Sequence, residues 1–114
     1  MNIIQTFYDH LASQYDKLFL DWQAASHEQA ILLNQLFQEN GFDNTAHILD
    51  CACGIGTQAI GLACLGYHVT ASDISDGEIT EAKTRAAKAD VKIRFEYADF
   101  RALSQTFTLV MVLS

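Results

Sequence analysis

The sequence predicts an α/β fold built on an open parallel sheet. Two observations carry that expectation. From residue 47 onward, short apolar or β-rich runs alternate with helix-forming stretches, the order strand, helix, strand, helix, strand that right-handed crossovers turn into parallel pairing. Before residue 47 the apolar residues recur at three- and four-residue steps, the period of helices and not of strands.

The elements follow in order. Ile3, Ile4, Phe7, Leu11 and Leu18, with Tyr8 and Tyr15, place a helix over residues 3–20. A second helix is predicted to open at Ser26, with Gln29 three residues on as a capping box. It runs through Ala30, Ile31, Leu33, Leu36 and Phe37 to Gly41 as its stop. After a short connector, residues 47–53, 68–74, 92–98 and 107–114 read as strands. Residues 56–65 and 76–89 lie between them as helices, the second opened by Ser75 and Glu78. No covering helix follows the last run, so the sheet is expected to be incomplete and the chain to be the first part of a longer domain. An uncovered strand edge also leads us to expect self-association.

Composition narrows the function. Half of the 114 residues are apolar and 18% are charged, too apolar for a disordered chain and short enough for one domain at most. No apolar run approaches the roughly 18 residues of a membrane span, and no basic segment followed by an apolar one opens the chain. We therefore expect a soluble, unprocessed, cytoplasmic protein without a membrane partner. Net charge is −7, of which −5 falls on residues 1–46. Nucleic acid, a polyanion, is a poor partner for it. Cys51 and Cys53 have no second cysteine pair to complete a zinc site, and the histidines 10, 27, 47 and 68 have no metal-ligand spacing. We read the thiols as reduced core groups and assign no metal.

The chemistry lies in the segment Asp50-Cys51-Ala52-Cys53-Gly54-Ile55-Gly56-Thr57-Gln58-Ala59, directly after a strand and directly before a helix. Gly54 and Gly56 would let the backbone turn and approach a ligand, with the free N–H groups of the helix start facing it. Asp73 ends the next strand, 17 residues after Gly56, where a carboxylate can accept from both ribose hydroxyls. Gly54-x-Gly56-x-x-Ala59 with Asp73 also satisfies a loose nicotinamide-dinucleotide fingerprint, and spacing does not decide between the two. Asp50 bears on the choice. A carboxylate beside a pyrophosphate is repelled, whereas S-adenosylmethionine brings a sulfonium and an ammonium and no phosphate.

The stretch from Ile48 to Ala63, then Gly66 to Ser75, then Tyr97-Ala98-Asp99-Phe100-Arg101, resembles class I S-adenosylmethionine-dependent methyltransferases. Tyr15-Asp16 and Asp21-Trp22 resemble the helical N-terminal cap of small-molecule members similar to glycine or sarcosine N-methyltransferases. The resemblance implies a Rossmann-like sheet, here its first four strands over residues 47–114, behind a helical cap over residues 1–46. It further implies that Asp50 lies near the methionine amino group, that Ala52, Cys53, Gly54, Gly56 and Thr57 line the methionine and ribose, and that Asp73 holds the ribose hydroxyls. Ile74 would pack on adenine, Asp99 would accept from the adenine amino group, and the Phe100 N–H would meet the ring. Leu113 and Ser114 would end the fourth strand beside the methyl donor, while Tyr15 and Trp22 close the site. The acceptor implied is a small molecule. The first arginine is Arg85, which leaves the cap without a guanidinium to clamp a carboxylate and argues against glycine itself. No residue is assigned a catalytic role, because a sulfonium donor is already activated. The other readings are a fragment of a nicotinamide oxidoreductase and a non-catalytic self-associating module of the same fold.

Overall fold

A computed structural model describes residues 3–97 and 109–112, with side chains described from Phe19 to Tyr97. The elements are α1 (Ile3–Glu39), β1 (His47–Cys51), α2 (Thr57–Cys64), β2 (His68–Asp73), α3 (Asp76–Lys88), β3 (Arg94–Tyr97) and β4 (Leu109–Val112). The strands form one parallel sheet in the order β3-β2-β1-β4. The expected fold class is therefore observed, and each strand falls within its predicted run.

Strand order positions the site. The chain leaves β1 toward β2 and β3 on one side, then returns to place β4 on the other side of β1. Such a reversal opens a crevice at the carboxyl ends of the strands, because the connections on either side diverge. Asp50 and Cys51 of β1 stand at that point, in register with Ala71 and Ser72 of β2 and with Met111 and Val112 of β4.

One expectation fails. The predicted pair of helices over residues 3–20 and 26–41 is a single helix, α1. No glycine or proline lies between Leu20 and Ser26, and Asp21-Trp-Gln-Ala-Ala contains nothing that interrupts helical hydrogen bonding. Ser26 is interior to the helix and is no cap. Its hydroxyl donates to the Thr57 carbonyl at 2.6 Å, and Gln29 accepts from the Gln58 amide at 2.8 Å, so both residues seat α1 on α2. The stop at Gly41 is as predicted: at φ +85° its N–H donates to the Gln38 carbonyl, and the Phe42 N–H donates to the Phe37 carbonyl.

The α1–α2 crossing is close because Gly61 has no side chain. A Cβ there would lie 2.6 Å from the Ser26 carbonyl oxygen and 2.8 Å from the Ala30 Cβ. The core runs from this crossing under the sheet through Ala30, Phe37, Ile48, Leu62, Val69 and Ile79. Tyr67 meets Phe37 edge-on at 5.8 Å, and its hydroxyl donates to Asn34. A buried phenol thus keeps a partner.

Candidate functional site

The backbone after β1 adopts left-handed conformations three times in five residues, at Ala52 (φ +57°), Gly54 (φ +58°) and Gly56 (φ +92°). Only glycine adopts these angles without steric cost, and an alanine there stores about 1 kcal/mol or more. Gly56 is the N-cap of α2 and supplies no side chain to it, so the first N–H groups of that helix are left to the crevice. A Cβ at Gly56 would also meet Ile60 Cδ1 at 3.0 Å and Ala82 Cβ at 3.3 Å, so the turn lies tight against α2 and α3. Gly54 is open, with Glu78 Oε2 3.7 Å from a would-be Cβ as its nearest neighbour.

Asp73 holds this turn in place. One of its carboxylate oxygens accepts from the Gly54 N–H at 2.9 Å and the other from the Ser75 N–H at 2.8 Å. The predicted capping box at α3 is consequently half made. Ser75 accepts from the Glu78 N–H at 3.3 Å, but Asp73 takes the place of the Glu78 side chain at the Ser75 N–H. Glu78 is thereby left half-buried beside Gly54. A carboxylate has about four lone-pair sites, so two backbone bonds leave Asp73 able to accept two further hydroxyls.

Asp50 is the anomaly. It is 0% exposed, and neither of its carboxylate oxygens has a hydrogen-bond partner among the described residues. Burial, and after it the charge of Asp73, pushes its pKa up to about 7. The Ala59 N–H pulls the other way without closing a hydrogen bond of normal geometry. A buried carboxyl without a donor costs free energy unless a ligand supplies one. Cys53, buried beside it, has its thiol pushed up to about 12 by burial and then by the charges of Asp50 and Asp73, so it is no thiolate nucleophile.

Three carboxyl groups, Asp50, Asp73 and Glu78, therefore surround the Cys53–Gly54 turn. Glu78 was legible in the sequence only as a helix cap; its position in the first turn after β2 is what swings it to the Gly54 loop. Such a set favours a cation and repels a phosphate. Among the described residues no group of three or more His, Cys, Asp or Glu side chains could hold a metal ion. No described helix is long and apolar enough to cross a membrane.

The remaining predicted residues fall as follows. Ala52 is exposed at the turn, and Ile74, 71% exposed, presents an apolar side chain directly after Asp73. Thr57 opens α2, and its hydroxyl accepts from the Trp22 indole at 3.1 Å. Arg85 lies over the Trp22 ring at 4.6 Å, so Trp22 joins α1 to both α2 and α3. Tyr15 is in α1, with its side chain outside the described set. Asp99, Phe100, Leu113 and Ser114 lie outside the described residues.

Residues 48–114 match a family described as "Methyltransferase domain". An S-adenosyl-L-methionine-dependent Diels-Alderase of Neonectria sp. (strain DH2) is 36% identical over 78 residues, which is 66% of this chain and 30% of that protein. A demethylmenaquinone methyltransferase of Clavibacter sepedonicus is 42% identical over 52 residues, 46% of this chain and 21% of that protein. The chain thus spans between 21% and 35% of the length of the curated relatives it matches. Among solved structures, magnesium protoporphyrin IX methyltransferase from Synechocystis PCC 6803 with bound SAM superposes with a TM-score of 0.66 at 23% identity. That superposition covers 78% of this chain and 44% of the other, and it establishes likeness of fold.

Proposed function

The chain belongs to the methyltransferase domain family, and from that premise we propose that it forms the cofactor-binding part of an S-adenosylmethionine-dependent methyltransferase of a small-molecule acceptor. The observation that carries this reading is Asp50, a fully buried carboxyl with both oxygens unpartnered where β1 opens into the turn. The ammonium of a methionine moiety brings three donors to such a group, and a pyrophosphate brings none. This disfavours the nicotinamide-dinucleotide alternative.

When bound, the cofactor supplies an electrophilic methyl on a sulfonium, and the protein's task is orientation and exclusion of water. Asp50 receives the ammonium. Asp73, anchored by two backbone N–H groups, offers its remaining lone pairs to the ribose hydroxyls. The backbone of Ala52, Cys53, Gly54, Gly56 and Thr57 lines the methionine and ribose, and Ile74 gives the adenine an apolar surface. The same reading assigns the adenine edge to Asp99 and Phe100, and the methyl-donor end to Leu113 and Ser114. Trp22, tied to Thr57, and Tyr15 close the site from α1. No covalent or general-base role is assigned to any of these groups.

The Diels-Alderase relative supports a second reading, in which the same cofactor is bound and no methyl is transferred. The two readings share the binding site and differ in the product. Calorimetric titration with S-adenosylmethionine, S-adenosylhomocysteine and a nicotinamide dinucleotide tests the shared part: the first two are expected to bind and the third is not. Transfer of radiolabel from the methyl group to an acceptor then separates the two readings, and binding of the dinucleotide alone overturns both.

A further inference from the structure

We propose that binding of the cofactor expels a proton from Asp50 into solvent, so that ligand affinity falls steeply as the medium becomes mildly acidic. This inference rests on the cofactor reading above and deepens it. The carboxyl is fully buried, and among the described residues no donor closes a hydrogen bond with either oxygen. Every described element packed around it either adds negative charge or is neutral. Asp73 comes from β2, Cys53 from the turn, and Glu78 of α3 lies beyond Gly54. The helix α2 presents the Ala59 N–H, and β4 sets Met111 in register. No basic side chain among the described residues acts on Asp50.

A carboxyl so placed is held in its neutral form by desolvation and by like charge. The arriving ligand reverses both effects, because its ammonium is a cation with three donors directed at the two empty oxygens. The step is a proton transfer and balances simply: the O–H bond of Asp50 breaks, the proton goes to buffer, and the carboxylate is retained against the ligand ammonium. Asp50 thereby couples recognition of the amino-acid end of the ligand to pH, a linkage that a surface carboxylate with ordinary hydrogen bonds does not make.

The test is titration calorimetry of this chain with S-adenosylhomocysteine at pH 6.5, in two buffers that differ in ionisation enthalpy. At that pH the ligand's α-amino group, which in a free amino acid titrates above the roughly 7.7–8.0 of a chain terminus, is already charged and contributes no proton exchange. With Asp50 titrating at about 7, roughly three-quarters of a proton is expected to leave per ligand bound. Affinity is expected to be about fifteenfold weaker at pH 5.5 than at pH 7. 5′-Methylthioadenosine, which keeps the adenosine and lacks the amino-acid end, is expected to bind without proton release. Asp50→Asn is expected to abolish the release. Should the variant not fold, a carbon-13 carboxyl NMR titration of the unsubstituted chain replaces it. There the Asp50 signal stays protonated at pH 5.5 and ionises when S-adenosylhomocysteine is added. Binding of S-adenosylhomocysteine with no proton exchange, or an Asp50 already ionised at pH 5.5, overturns the inference and leaves the cofactor reading standing. Failure of S-adenosylhomocysteine to bind at all overturns both.

Discussion

β1 and β2 run in register from His47 and His68 at one end to Cys51 and Ser72 at the other, and the two ends treat their polar groups differently. At the amino end His47 and His68 stack at 4.0 Å, and a His47 ring nitrogen pairs with the Thr70 hydroxyl at 3.0 Å. Burial, then His68, then Arg94 hold the His47 pKa below its usual value. A groove of about 640 Å³ at that end carries Lys83, Lys92 and Arg94. At the carboxyl end the charge is negative, the backbone is left-handed, and a buried carboxyl has no partner among the described residues. Folding thus pairs polar groups at one end from within and leaves at the other a buried carboxyl without a described donor. A sheet of parallel strands makes the ends unequal, since helix N-termini face the carboxyl ends of the strands and helix C-termini the amino ends.

That contrast can be broken most severely at Asp73. Asp73→Ala removes the acceptor of the Gly54 and Ser75 N–H groups and the proposed ribose acceptor together. We expect S-adenosylhomocysteine affinity to fall by about 100-fold or more by calorimetry, with stability reduced by about 1–3 kcal/mol in urea denaturation. A variant that binds normally would remove Asp73 from the site.

Next in size is Gly61→Ala, which attacks neither end but the seat of α1. Its new methyl would fall 2.6 Å from the Ser26 carbonyl oxygen, so the helices must part. The expected loss is about 1–3 kcal/mol. Trp22, the only tryptophan and bonded to Thr57, should report it as a red shift in fluorescence.

Asp50→Asn sharpens the comparison through its sign. A carboxyl whose folded pKa of about 7 exceeds its unfolded value near 3.9 binds its proton more tightly when folded. Its contribution to stability is therefore greatest below about pH 4, falls as pH rises toward 7, and is constant above. The ligand-free variant should be more stable than the parent at pH 8, by about 2 kcal/mol, and the gain should shrink toward pH 5. Chemical denaturation at the two pH values checks this, and a variant less stable at pH 8 contradicts it. The smallest effect belongs to the amino end, where His68 is exposed. His68→Ala should change stability by about 0.5 kcal/mol or less and cofactor affinity not at all. A loss of affinity there would mean that the two ends are coupled.

Much of the fold was legible because its signals are local. Each predicted strand contains the observed one, and Gly41 ends α1 as its position suggested. The break at Ser26 was misread because a serine three residues before a glutamine has the pattern of a cap whether or not the chain turns there. Only the packing of α2 against that face shows that Ser26 and Gln29 serve a neighbouring helix. The site was legible in part. Gly54, Gly56 and Asp73 follow from spacing, whereas the place of Glu78 beside Gly54 depends on how α3 docks after β2.

By itself the sequence determined the alternation of strand and helix, the glycine turn after β1 and the two acids at the strand ends, because periodicity, backbone freedom and residue type act over a few neighbours. The tertiary structure alone decided the strand order β3-β2-β1-β4, the continuity of α1 as it crosses α2, and the difference between two aspartates of the same composition. Asp73 is held by two backbone N–H groups while Asp50 is buried without a donor. Desolvation and hydrogen-bond satisfaction are set by groups distant in the chain, and only folding brings those groups together or leaves one wanting.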